Sequence, residues 1–147
     1  MADVVFNGVK GRVKYYCELP AANDALILVP LEASGLEADA TLVDYDDLAT
    51  LIAGSSNEQT TLGRKTITAV TVTVDDTNDR LDIDIADQTY TASAGNRVGA
   101  VLVCYDPDTT GGTDSSIIPL TKHDAVFTPD GTDVTIRIPA DSFYRAT

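Results

Sequence analysis

The sequence predicts a mainly β fold: a single-domain antiparallel β-sandwich or barrel with one short α-helix near residues 44–53. Three observations lead there. Short alternating or continuous apolar stretches recur along the chain, separated by Gly, Pro and Asp turn signals. Residues 44–53 alone combine helical spacing with a helical start and stop. Finally, 44% of the 147 residues are hydrophobic, enough for a real core. A chain of this length buries roughly 70% of its unfolded surface, so it folds without disulfides or metal. The expected organisation is an N-terminal arm at residues 1–10 and one β-rich domain at residues 11–147.

Within residues 2–10, Val4, Val5 and Phe6 are apolar, and Asn7-Gly8 and Gly11 punctuate the segment. It reads equally as an edge strand of the domain and as an arm that docks on a neighbouring subunit. From Arg12 to Leu19 the chain alternates, with Val13, Tyr15, Cys17 and Leu19 on one side, which predicts a half-buried strand. Ala25 to Val29 is apolar throughout and predicts a strand covered on both faces. Asp44 is the expected N-cap of the helix, with Tyr45, Leu48, Leu51 and Ile52 on one face and Gly54 as the stop.

Beyond Arg64 the chain is β in character. Between Thr66 and Val74 the apolar parity slips by one residue, which predicts a bulge or a change of sheet. Arg80 to Ile85 alternates strictly and sets Asp82 and Asp84 toward solvent. Val98 to Tyr105 is apolar on both faces and is the candidate central strand. The turn signal Thr128-Pro129-Asp130-Gly131, between Ala125–Phe127 and Val134–Ile138, predicts a hairpin.

The chemistry is sparse. His123 is the single histidine, and Asp124 beside it points to the other face of a strand, so it is badly placed to orient the ring. No Gly-x-Ser-x-Gly elbow occurs, and neither cysteine has the basic neighbour of a nucleophile. Cys17 and Cys104 read as buried small hydrophobes, with pairing left open. Asp75-Asp76-Thr77-Asn78-Asp79, together with Asp82, Asp84 and Asp87, invites a calcium reading. The EF-hand register fails because Arg80 takes the third ligand position, so the stretch reads as a polar hairpin turn. No catalytic residue, cofactor or metal is expected, and the chain is not expected to be an enzyme.

A formal net charge of -13 sets 23 acidic against 10 basic side chains. That field repels nucleic acid and anionic membrane surfaces, so neither is an expected partner. The start has no positive n-region, and the apolar run from Ala25 to Leu31 is too short to span a bilayer. Synthesis in a cytoplasm without export is the expectation.

Val74-Asp75-Asp76-Thr77-Asn78-Asp79-Arg80, Asp87-Gln88-Thr89 and Leu102-Val103-Cys104-Tyr105-Asp106 form one series of turn and strand patterns. It continues through Ile118-Pro119-Leu120-Thr121 to Phe143-Tyr144-Arg145-Ala146. With the opening Val4-Val5-Phe6-Asn7 and the Asp39 to Leu51 segment, the series resembles head decoration (cement) proteins and related virion structural proteins of tailed phages infecting actinobacteria. The resemblance implies a protein of the outer capsid surface that binds the major capsid protein and stabilises the shell. It implies a homo-oligomer, with a trimer favoured, and it carries no catalytic residues. Val4, Val5, Phe6, Phe143 and Tyr144 are the expected anchors on the capsid or a neighbouring subunit; closing the domain's own core is their alternative role. A receptor- or glycan-binding module of a phage tail or fibre is the alternative function.

Overall fold

The computed structural model describes residues 3–139 and 142–147. Among them the chain is mainly β, with short helices at its N-terminal end and in the 39–53 region. The strands are β1 (Val4–Val5), β2 (Ala25–Glu32), β3 (Lys65–Ile67), β4 (Val70–Asp75), β5 (Arg80–Ile85) and β6 (Gln88–Tyr90). They continue with β7 (Val98–Asp106), β8 (Ile118–Phe127), β9 (Val134–Ile136) and β10 (Tyr144–Ala146). The largest sheet has the order β1-β8-β7-β2-β3, beside a three-stranded sheet β10-β5-β4 and the pair β6-β9. Every pairing between strands of the described residues is antiparallel, and none of their sheets closes on itself, which removes the barrel from the two predicted architectures.

Strands β2 and β7 form the longest ladder, from Ala25 opposite Asp106 to Glu32 opposite Val98. Both are buried over nearly their whole length, as their continuous apolar runs predict. Leu26, Leu28, Val101 and Val103 share one core with Ile83, Ile85 and Phe143 from the other side of the domain. The parity slip resolves as a change of sheet: β3 pairs with β2, and after Thr68-Ala69 the chain re-enters as β4 against β5. The acidic stretch forms the β4–β5 hairpin turn, where Asp75 accepts from the Thr77 and Asn78 backbone N–H groups and Asp79 takes a φ of 51°.

Four expectations are corrected. Arg12 to Leu19 is not a strand, for Val13–Cys17 is a short helix, α1. Residues four apart share a face in both a helix and a strand, so Val13 and Cys17 suit either. Tyr15 separates the two readings, because a strand would bury it and it is 57% exposed. The second correction moves the helix start. The helix is α3 (Leu48–Ala53), capped by Asp47, whose Oδ1 accepts from the Thr50 N–H at 2.8 Å. Asp44 instead accepts from the Asn7 side chain at 2.6 Å, and a further single-turn helix, α2 (Asp39–Leu42), precedes it.

Third, Asp82 does not face water. It is 8% exposed, and its carboxylate lies 2.6 Å from Arg145 Nε and 2.9 Å from Arg80 Nε. Fourth, the turn at Thr128–Gly131 does not close a hairpin. Its backbone is taken by buried Ser93: Gly131 N–H donates to the Ser93 carbonyl and Ser93 N–H to Thr132. Asp133 also accepts from the Ala92 N–H, so β9 is delivered to β6 instead of β8. A turn signal fixes where a chain reverses, but distant hydrogen-bond partners decide which strand receives it.

The cysteines stand apart, Cys17 on α1 and Cys104 on β7, both free and buried. Residues 4–6 belong to the domain: Val4 and Val5 pair with Lys122 and Thr121 of β8, and Phe6 is 0% exposed within the core. Phe6→Ala should therefore cost about 3–5 kcal/mol of unfolding free energy, the usual loss for a buried phenylalanine. Urea unfolding followed by circular dichroism checks it, and a loss below about 1 kcal/mol would mark a detachable arm.

Candidate functional site

Asp3 and Phe143, from near the two ends of the described chain, both lie against His123 of β8. A cavity of about 490 Å³ opens there, its apolar walls formed by Leu28, Val101, Val103, Ile136, Ile138 and Phe143. Its polar lining comes from Asp3, His123, Asp124, Arg137, Ser142 and Arg145. The strand ladders dictate this placement. β1 lies on one edge of the large sheet, β10 lies beside β5, and Phe143 N–H donates to the Ile83 carbonyl at 2.9 Å. That bond turns the Phe143 ring inward until it stands edge-on to His123, with ring centres 6.2 Å apart.

Asp3 fixes the near side. Its Oδ1 accepts from the Asp124 N–H at 2.8 Å, and its Oδ2 lies 3.2 Å from His123 Nδ1. Burial raises the Asp3 pKa, but the Asp124 N–H and the His123 ring outweigh it and hold this carboxyl below the ordinary carboxylate value. The other ring nitrogen, His123 Nε2, lies 2.8 Å from Thr121 Oγ1. Carboxylate, imidazole and hydroxyl thus stand in the order of a hydrolytic relay. Thr121 is 2% exposed and is not among the residues that line the cavity. The arrangement is a strand clamp: it ties the residue before β1 to the middle of β8.

Lys122, one residue along, has no exposed surface. Its ammonium contacts Asp124 and lies 3.0 Å from Asp39 at the start of α2. Desolvation pulls the Lys122 pKa down, but the hydrogen bonds from Asp124 and Asp39 overcome it and leave the ammonium above the ordinary lysine value. A buried cation between two partly solvated carboxylates pins α2 to the large sheet. Sequence reasoning missed it. The available signal was a lysine in the middle of a β-rich run, between Thr121 and His123, in a chain with few basic residues.

A second ionic clamp holds the far side. Arg64 donates to Glu58 from Nε and Nη2 at 2.8 and 2.7 Å, and to Asp114 from Nη1 at 2.6 Å. This planar, doubly paired guanidinium joins the loop after α3 to the turn before β8.

The expected anchors divide. Phe143 lines the cavity, whereas Val4, Val5 and Tyr144, half-buried on β1 and β10, do not. Phe6 is spent inside the core. Tyr15, Tyr16 and Tyr105 form a row of rings, with centres 5.3 and 5.0 Å apart. Tyr15 is exposed, whereas Tyr90 and Tyr105 are buried, the latter donating to Asp24 at 2.8 Å. No group of three or more His, Cys, Asp or Glu side chains suited to a metal occurs among the described residues. Nor is any helix there long and apolar enough to cross a membrane.

Lys122→Met should destabilise the fold by about 3 kcal/mol, the lower end for breaking a buried pair, because both carboxylates keep some water. The sign with pH follows from the raised folded pKa. The stabilisation is complete below the ordinary lysine value of 10.5 and is lost as pH rises through the folded value. Urea melts at stepped pH should show a steeper loss above about 10.5 in the wild type than in the variant, which keeps only the alkaline loss from the buried thiols and tyrosines. An equal alkaline loss in both would refute the assignment.

No family model, curated protein or solved structure matches this chain.

Proposed function

We propose that this chain is a structural protein of a phage virion, coating the outer surface of the capsid by binding the major capsid protein. The observation that carries this reading is the half-open cavity between the large sheet and Phe143, lined by Asp3 from near one end of the described chain and Phe143 and Arg145 from near the other. Its apolar walls suit an inserted apolar side chain or loop of a partner, and its rim of Asp3, His123 and Arg137 supplies polar contacts around that plug. The sequence resemblance to decoration proteins supplies the kind of partner.

The remaining features support the same role. A net charge of -13 suits a surface that faces outward, away from packaged DNA. The one imidazole is held in a clamp whose hydroxyl is buried, so the reading involves no catalysis. Coating works by repetition: each copy makes a modest contact, and the symmetric lattice multiplies it. Grouping into homo-oligomers, with the trimer that the resemblance implies, belongs to the same proposal.

Capsids assembled from the major capsid protein provide the test. Wild-type protein should cosediment with them and appear on their outer face by electron cryomicroscopy. Ala125→Trp, which places an indole in the cavity, should bind about tenfold more weakly, a change of about 1.4 kcal/mol. Its thermal midpoint should stay close to that of the wild type. Wild-type protein that leaves capsids bare would overturn the function, and full occupancy by Ala125→Trp would overturn the cavity as anchor.

A further inference from the structure

Strand β4 is the unguarded edge of this fold. It lies at the end of the three-stranded sheet and pairs only with β5, from Val70 opposite Ile85 to Asp75 opposite Arg80. Among the described residues, none of 70–74 makes a backbone hydrogen bond outside that ladder, and helix α1 approaches the strand without bonding to it. Edge strands are ordinarily kept apart by brevity, by charge or by proline. The other sheet edges of the described residues follow that rule: Val4–Val5 is two residues long, Gln88–Tyr90 and Val134–Ile136 are three each, Lys65–Ile67 begins on a lysine, and Tyr144–Ala146 is centred on an arginine. Residues 70–74 have no charge, no proline and no glycine.

The strand is also a palindrome. Val70-Thr71-Val72-Thr73-Val74 reads the same in both directions. Thr71 and Thr73 are exposed on the solvent face, while Val70 and Val72 are half-buried against the core. Val74, on the face of the other valines, is 59% exposed. A two-fold axis through Val72 would set Val70 against Val74 of a second copy and Thr71 against Thr73. Both are favourable antiparallel pairs. Asp75 and Asp76 would then face Ala69 and Thr68 of the second copy, so no carboxylate meets another across the join.

We propose that β4 pairs antiparallel with β4 of a second copy of this chain, joining the two three-stranded sheets into one and covering Val74. The contact is independent of the capsid reading and of any three-fold grouping, because a two-fold contact can join two neighbouring groups. Both copies are strongly acidic, so salt screens their repulsion and favours the pair.

Sedimentation equilibrium of the full chain over a range of concentrations is the test, with two charge variants. T71K/T73K and T71E/T73E each place like charges opposite one another, and each should weaken self-association by about tenfold or more. An equimolar mixture sets lysine against glutamate and should restore association, as a mixed pair. In the wild type, amide exchange along β4 should slow as concentration rises, a reading that needs no variant to fold. A wild type that stays monomeric up to about 1 mM, with exchange at β4 unchanged, would overturn the proposal. So would association that both variants leave intact, or a mixture that fails to restore it.

Discussion

Everything in this fold depends on β7 being covered on both faces. A strand with no solvated side must be apolar at successive positions, and Val98 to Tyr105 is buried throughout. Both of its edges are paired, with β2 on one side and β8 on the other. The short helices pack onto this frame, with α1 touching Tyr105 of β7 and strand β4. α1, α2 and α3 are one or two turns long, and such helices do not persist in water without packing. Val13, Cys17, Leu42, Leu48 and Leu51, buried to the last few per cent, supply that packing.

This dependence explains what the sequence disclosed. Where burial is two-sided or strictly alternating, the residues state their own geometry, and β2, β5 and β7 fall where the pattern sets them. The change of sheet near Ala69 was equally legible, because a one-residue slip exchanges the faces of a strand. The 13–17 segment was not. It is too short to separate a period of two from a period of 3.6, and only the water-facing ring of Tyr15 decides between them. The destination of β9 was likewise hidden, since it rests on bonds between residues 92–93 and 131–133.

The polar centre was the least legible part. Composition showed one histidine and few lysines, and local reasoning correctly discounted Asp124 as the histidine's partner. It had no means of finding Asp3, 120 positions away. Nor did it anticipate that Lys122 and Asp82 are buried polar groups in a protein otherwise covered in acid. Charges so placed are retained only when a complete set of partners surrounds them. The scarcity of basic residues sharpens this. Lys122, Arg64, Arg80 and Arg145, nearly half of the chain's 10 cations, are committed to internal ion pairs. The same pairs take up Glu58, Asp114, Asp75, Asp82, Asp39 and Asp124, and the charges left over are still mostly acidic.

The two thiols carry a different consequence. Burial pushes the Cys17 thiol up to about 12 and the Cys104 thiol higher still, so at neutral pH neither supplies the thiolate that attacks disulfides and oxidants. They lie on separate elements, unpaired. Burial thus withholds both thiols from thiol–disulfide exchange while the domain is folded.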